Sequence, residues 1–226
     1  MVLEETDSGT LEFRLAPTLH GLVSGEHAPA VICVDIPIGL PSVGKRICDL
    51  EARAVLGQPR CCSVFPVPIR PALAARSRLE ASAITRAADG RGVGVQAWAI
   101  YPRIAEMNEV LTSGLAPQTQ FREVHPEVCF WALNAGKPMT SSKKSVAGRL
   151  EREALLVTAF GEDKVQEMLH FPRRKDRAPK TDLADDDILD ALAALWTAER
   201  VSRGEARTIP GRPPADPLGL RMEIVY

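Results

Sequence analysis

The chain has almost no net charge. Its 226 residues carry 28 lysines and arginines against 29 aspartates and glutamates, a formal charge of −1. That excludes a basic nucleic-acid tail protein, which would be strongly positive throughout. With 45% apolar residues and so little charge, a disordered chain is excluded as well. No apolar run reaches the roughly 18 residues of a membrane span, so no membrane association is expected. The opening MVLEETDSGT lacks both the basic start and the apolar stretch of a secretory signal. There are five cysteines but no CxxC, which argues against zinc-ribbon and thioredoxin-type motifs. The expectation is reduced, mostly packed thiols in a cytoplasmic protein. No repeat occurs at solenoid periods. No Walker or Rossmann phosphate loop occurs either; GRGVG at 90–94 follows no predicted strand and reads as a plain loop.

What is present suits one domain of α/β class. TLEFRLA (10–16) alternates as a half-buried strand, and 18–24 fits a short helix. Ala30 to Val34 is a continuous apolar run rich in β-branched residues, typical of a strand buried on both faces. It ends in Asp35, Pro37 and Gly39. Residues 47–56 are helical in composition, and 57–72 form a proline-rich loop. Ile100, Ile104, Met107 and Leu111 sit at helical spacing within 96–111. FREVHPEV (121–128) reads as a second buried strand stopped by Pro126. Helices are expected at 148–160, 164–170 and, most clearly, 185–200. FPRRKDRAPKTD (171–182) reads as an exposed basic loop, and GLRMEIVY (219–226) as an alternating closing strand. Strands interleaved with helices, some alternating and some not, point to a mixed sheet flanked by helices.

Three acidic positions carry the chemistry. Asp35 ends the most buried strand, where α/β proteins place ligands. Glu123 lies in the second such strand. Asp186, Asp187 and Asp190 open the last long helix, where Asp190 shares a face with either of the others. Carboxylates converging from strand ends and a facing helix suit Mg²⁺ or Mn²⁺, which take oxygen ligands and keep several waters. Two such ions can activate water and stabilise the leaving oxygen in phosphodiester hydrolysis. The metal set expected is Asp35, Glu123, Asp186 and Asp190. Plainer roles compete: Asp185 to Asp187 suit a helix cap and its dipole, Glu123 suits an arginine partner, and Asp35 suits a turn before Pro37. Glu123, His125 and Glu127 would share one strand face by period two.

Arg46, Arg53, Arg60 and Arg70 flank the proline loop. Lys137, Lys143, Lys144, Arg149 and Arg152 follow the second acidic strand. As a group they suit phosphates, with Ser141, Ser142 and Ser145 as neutral donors. Substrate contacts are therefore expected from Arg70, His125, Glu127, Lys143, Lys144 and Arg149.

VDIPIGLP (34–41), RICDLEARAVLG (46–57), SVFPVPIR (63–70), EVHPEVCF (123–130), SKKSVAGRLER (142–152), DDILDALAA (186–194) and GLRMEIVY (219–226) together resemble a bacterial and archaeal domain family of unknown function. Its members are described as predicted nucleases of ribonuclease H-like fold. The resemblance runs from about residue 10 onward. It implies a single ribonuclease H-like domain over 1–226, with Asp35 as central-strand acid and Glu123 as the acid of the next strand. Asp186, Asp187 and Asp190 would supply the helix acid, and Arg70, Lys143 and Arg149 the phosphate contacts. Members of the family begin with a glycine-hydrophobic-aspartate-glycine strand and a Gly-Trp hairpin. MVLEE resembles the end of the second strand, so the expectation is a domain short of the first strand and its aspartate. An edge exposed in this way would favour a homodimer.

Three functions follow as expectations. The first is a metal-dependent nuclease or phosphodiesterase. The second is a non-catalytic module of the same fold that binds nucleic acid or a nucleotide through the basic rim, with salt-dependent affinity. The third is a small-molecule phosphotransfer enzyme, which the missing glycine-rich loop disfavours.

Overall fold

The computed structural model describes residues 2–5, 11–14, 16, 18–23, 28–170 and 184–226. The segment expected as a basic loop, 171–182, lies outside them. Among the described residues the strands are β1 (Val2–Glu5), β2 (Leu11–Arg14), β3 (Ile32–Val34), β4 (Phe121–Glu123), β5 (Thr208–Ile209) and β6 (Ile224–Val225). The helices are α1 (His20–Val23), α2 (Ile47–Leu56), α3 (Arg78–Asp89), α4 (Val95–Ala99), α5 (Tyr101–Thr112), α6 (Pro126–Leu133), α7 (Val146–Phe160), α8 (Glu162–His170) and α9 (Asp185–Ser202).

The chain is α/β and rich in helix. The expected mixed sheet is reduced, among the described residues, to three separate pairs. β1 and β2 pair antiparallel, as do β5 and β6. β3 and β4 pair parallel, with Cys33 opposite Arg122 and Val34 opposite Glu123. This parallel pair is the buried part read from the β-branched run. Ile32, Val34 and Phe121 pack with Ile38, Met107 and Val110 of the neighbouring turn and α5. A second core joins Phe130 of α6, Leu156 of α7, Met168 of α8 and Leu192 of α9. It holds α9 against the end of β3, and that placement builds the site.

Three expectations need correction. The second strand does not run to 128: it ends at Glu123, and Pro126 opens α6. Proline suits a first helical turn because the amide it lacks would be unpaired there anyway. Glu123, His125 and Glu127 therefore do not share a strand face. The helix expected over 96–111 is two helices, broken at Ile100 ahead of Pro102. The closing segment is strand only at Ile224–Val225, and its burial is continuous from Met222 to Val225 instead of alternating.

One helix, α3, was not anticipated. Its start was written in the sequence: Ser77 accepts the Glu80 N–H at 3.2 Å, and Glu80 Oε2 accepts the Arg76 N–H at 2.8 Å. Gly90 closes it at φ 76°, a left-handed conformation that glycine adopts without strain.

Candidate functional site

Asp35 follows the last residue of β3, at the carboxyl end of the parallel pair. Asp186 and Asp190 stand one turn apart on α9. A turn between α6 and α7 brings Lys143 to them. The Lys143 ammonium donates to Asp190 Oδ2 at 2.5 Å and lies 3.7 Å from Asp186 Oδ2. Lys144 donates to Asp186 Oδ2 at 2.6 Å, and Arg149 donates to Asp185 Oδ2. Asp35, Asp187 and Asp190 line one cleft of about 1350 Å³ between β1, β3 and α9.

The charges of these groups act on one another. Burial pushes the Asp190 carboxyl up to about 6; Lys143 pulls it down, while Asp35 and Glu127 push it further up. Asp35 is open to the cleft, but the protein around its carboxyl raises its pKa above the ordinary aspartate range, against the pull of His125 and Lys143. Burial would raise Asp186 too, but the Lys144 hydrogen bond and both lysine charges hold it below its ordinary value. Burial works against the Lys143 charge, yet Asp190, Asp186 and Asp35 more than restore it. One ammonium thus serves three carboxylates.

Glu127 joins this group from the first turn of α6. Its Oε1 accepts Arg152 Nη2 at 2.6 Å, while its Oε2 is buried without a hydrogen-bond partner. His125, just before α6, sets Nε2 3.4 Å from the Ser63 carbonyl, and its Nδ1 is buried without a partner. Neither arrangement follows from a strand reading of 121–128.

Glu123 lies elsewhere. Its two carboxylate oxygens accept Arg46 Nη1 and Nη2, each at 2.7 Å, and Oε2 also accepts the Ile38 N–H at 2.6 Å. Arg46 is completed by Asp49 Oδ1 at 2.6 Å and the Ile38 carbonyl at 3.1 Å. Two carboxylates hold its guanidinium charged despite full burial. This is the arginine pairing that competed with the metal role in the sequence. Asp187 accepts the Ala184 N–H at 3.2 Å and so caps α9.

The arginines around the proline loop are likewise engaged. Arg53 donates to the carbonyls of Cys61 and Val64 at 2.7 and 2.8 Å. Arg60 donates to the Ser141 carbonyl at 3.3 Å. Arg70 donates to Asn108 Oδ1 at 2.9 Å and to Asp216 Oδ2. Lys143, Lys144 and Arg149 pair with the acids at the start of α9.

A family match covers residues 1–215, under the description "Protein of unknown function (DUF429)". The chain belongs to the DUF429 family. No curated protein and no solved structure matches it. Among the described residues of this DUF429 chain no three histidine, cysteine or carboxylate side chains stand close enough to enclose a metal ion. No described helix is long and apolar enough to cross a membrane.

Proposed function

We propose that this DUF429 chain is a Mg²⁺- or Mn²⁺-dependent phosphodiesterase, a nuclease acting on a ribonuclease H-like α/β frame. The observation that carries the reading is the meeting of Asp35 and Asp190, from a parallel strand end and a helix, on the wall of one cleft, where the Asp35 charge pushes the Asp190 carboxyl up. Like charges kept together in this way gain stability from a bound cation. The donor set fits a small hard cation: two aspartates suffice for Mg²⁺, which keeps its remaining waters. The unpartnered Glu127 Oε2 adds an acceptor for one such water.

A bound cation would supply Lewis acidity and an acidified water. The residues of the chain do the rest. Asp35 and Asp190 hold the cation at the wall of the cleft. Lys143, Lys144 and Arg149 offset the charge of phosphates placed beside it. His125 Nδ1, with no partner of its own, can take or return a proton near Asp35.

The test is titration of Mn²⁺ into the wild type and Asp35→Asn, with cleavage of labelled single- and double-stranded DNA and RNA as a second readout. Binding that Asp35→Asn abolishes, with cation-dependent cleavage, is the expected result. A wild type that binds no Mn²⁺ refutes the reading. The second reading, a module binding nucleic acid or a nucleotide without chemistry, is favoured by the engagement of Asp190 and Asp186 with Lys143 and Lys144. It predicts salt-sensitive binding that EDTA does not alter.

A further inference from the structure

We infer that Lys143 occupies the position of the cation at Asp190 and surrenders it when the cation binds, so that a phosphate ester is gripped only by the cation-loaded site. This rests on the cation reading above.

Two observations carry it. The first is where the ammonium lies: 2.5 Å from Asp190 Oδ2 and 3.7 Å from Asp186 Oδ2, at a point the charge of Asp35 also reaches. A divalent cation on Asp190 would lie beside that ammonium, and the two positive charges repel.

The second is how the lysine is delivered. The turn bearing it is rigidly built. Glu151 accepts the Thr140 N–H at 2.8 Å, the Thr140 hydroxyl at 2.9 Å and the Ser141 N–H at 3.0 Å. The Ser142 carbonyl accepts the Ser145 N–H at 2.9 Å and the Ser145 hydroxyl at 2.7 Å. Gly148 admits that carbonyl, which would lie 2.0 Å from a Cβ placed there. The backbone of the turn thus stays while the four-carbon stem of Lys143 swings. An ammonium expelled from Asp190 remains within a side chain's length of the cation, next to any phosphate the cation holds. Glu127 supports a ligand at this place: it is 7% exposed, its Oε2 has no partner, and its charge is felt at Asp190.

Competition between Lys143 and the cation, and cooperation between the cation and phosphate, are then one coupling. Linkage requires that it act in both directions.

The experiment compares wild type, Lys143→Met, Lys143→Gln and Lys143→Arg, with folding checked by circular dichroism. Mn²⁺ affinity is read by electron paramagnetic resonance. Affinity for dimethyl phosphate, a diester that resists hydrolysis, is read by ³¹P NMR with and without Mg²⁺. Removing the ammonium should tighten Mn²⁺ binding by about tenfold or more in both neutral variants, within the range of site-to-site couplings. In the wild type Mg²⁺ should raise dimethyl phosphate affinity; in the neutral variants that gain should shrink to what the cation alone provides, and an undiminished gain overturns the inference. Lys143→Arg should keep both the competition and the gain.

Mn²⁺ affinity unchanged or weakened in Lys143→Met and Lys143→Gln, with the wild type binding Mn²⁺, overturns the inference and leaves the cation reading standing. Mn²⁺ binding by the neutral variants alone would overturn it too, because Lys143 would then hold the position and never surrender it to a cation. No binding by any of the four overturns both.

Discussion

The two buried glutamates separate what a carboxylate does for stability from what it does for chemistry. Glu123 is saturated: Arg46 and the Ile38 amide take up both oxygens. Glu127 is half-satisfied, with one oxygen on Arg152 and the other buried without a partner, and its charge is felt at Asp190. Glu123→Gln should therefore destabilise the chain by about 3–5 kcal/mol, the cost of leaving a buried charge with part of its partnership gone. Urea unfolding in EDTA reads this directly. Unchanged stability with loss of cation binding would instead make Glu123 a ligand. Asp190 gives a pH prediction. Its carboxyl titrates at about 6 in the folded chain against 3.8 ordinarily. The folded state binds the extra proton, so the stability contribution is full below pH 4 and is lost as pH rises through about 6. Unfolding free energies measured in EDTA between pH 4 and 7 should show that decline, and Asp190→Asn should make it shallower, leaving the part due to Glu123, whose carboxyl burial pushes up to about 7. A decline of the same size in Asp190→Asn would assign the titration to another group.

At the scale of elements, the α6–α7 turn decides whether lysines meet acids. It depends on Gly148, whose missing side chain lets α7 begin against the Ser142 carbonyl. Gly148→Ala must push backbone against backbone, and overpacking of that kind costs about 1–3 kcal/mol. Thermal unfolding should register this loss, together with a weakened Lys143–Asp190 contact, seen as a shift of the Asp190 carboxyl signal in NMR. A stable Gly148→Ala with an unmoved signal would show that the turn adapts freely. The same scale shows what the sequence disclosed. The β-branched run at Ile32–Val34, the helix of residues 47–56 and the acidic start of α9 were legible because each carries a local signal of period, run or cap. The capping pair Ser77 and Glu80 of α3 is an equally local signal. Asp35 and the acids at the start of α9 were legible as a group because a strand end and a helix face have predictable directions, but which helix acid faces Asp35 was not. Lys143 was legible only as a basic residue near other basic residues. Its partner is settled by the packing of α7 on α9, and the pairing of Glu123 with Arg46 spans 77 residues. Neither leaves a trace in spacing. Proline misled at 126, because a strand breaker and a helix opener are the same residue.

Across the whole molecule, the last stretch of chain ties back to the segment that follows β3. Asp216 is the fastening. Its Oδ2 accepts the Leu40 N–H at 2.9 Å, across 176 residues of sequence, together with Arg70. Its Oδ1 accepts the N–H groups of Leu218 at 2.8 Å and Leu220 at 3.0 Å. Burial alone would raise this carboxyl, but the backbone donors and Arg70 outweigh it and hold it below its ordinary value. A lowered acid contributes stability above its unfolded pKa and loses it as pH falls toward the folded one. The clamp should therefore weaken only in acid below about pH 4, where an unfolded aspartate also protonates. Arg70, offered by the sequence as a phosphate contact, is committed to this clamp and to Asn108, so its loss should act on stability first. Asp216→Ala leaves an arginine and three amides without their acceptor and should cost about 3–5 kcal/mol. Arg70→Ala strands Asp216 alone, with its amide bonds intact, and should cost less. Adding the two losses should overestimate the double variant, because both remove the same contact. Denaturant unfolding of the three variants checks the order, and equal additive losses would show that Arg70 and Asp216 stabilise the chain independently. Mn²⁺ affinity measured on the folded fraction of Arg70→Ala should stay at the wild-type value, since the clamp and the acidic cluster of α9 share no side chain. A drop in that affinity would place Arg70 in the site after all.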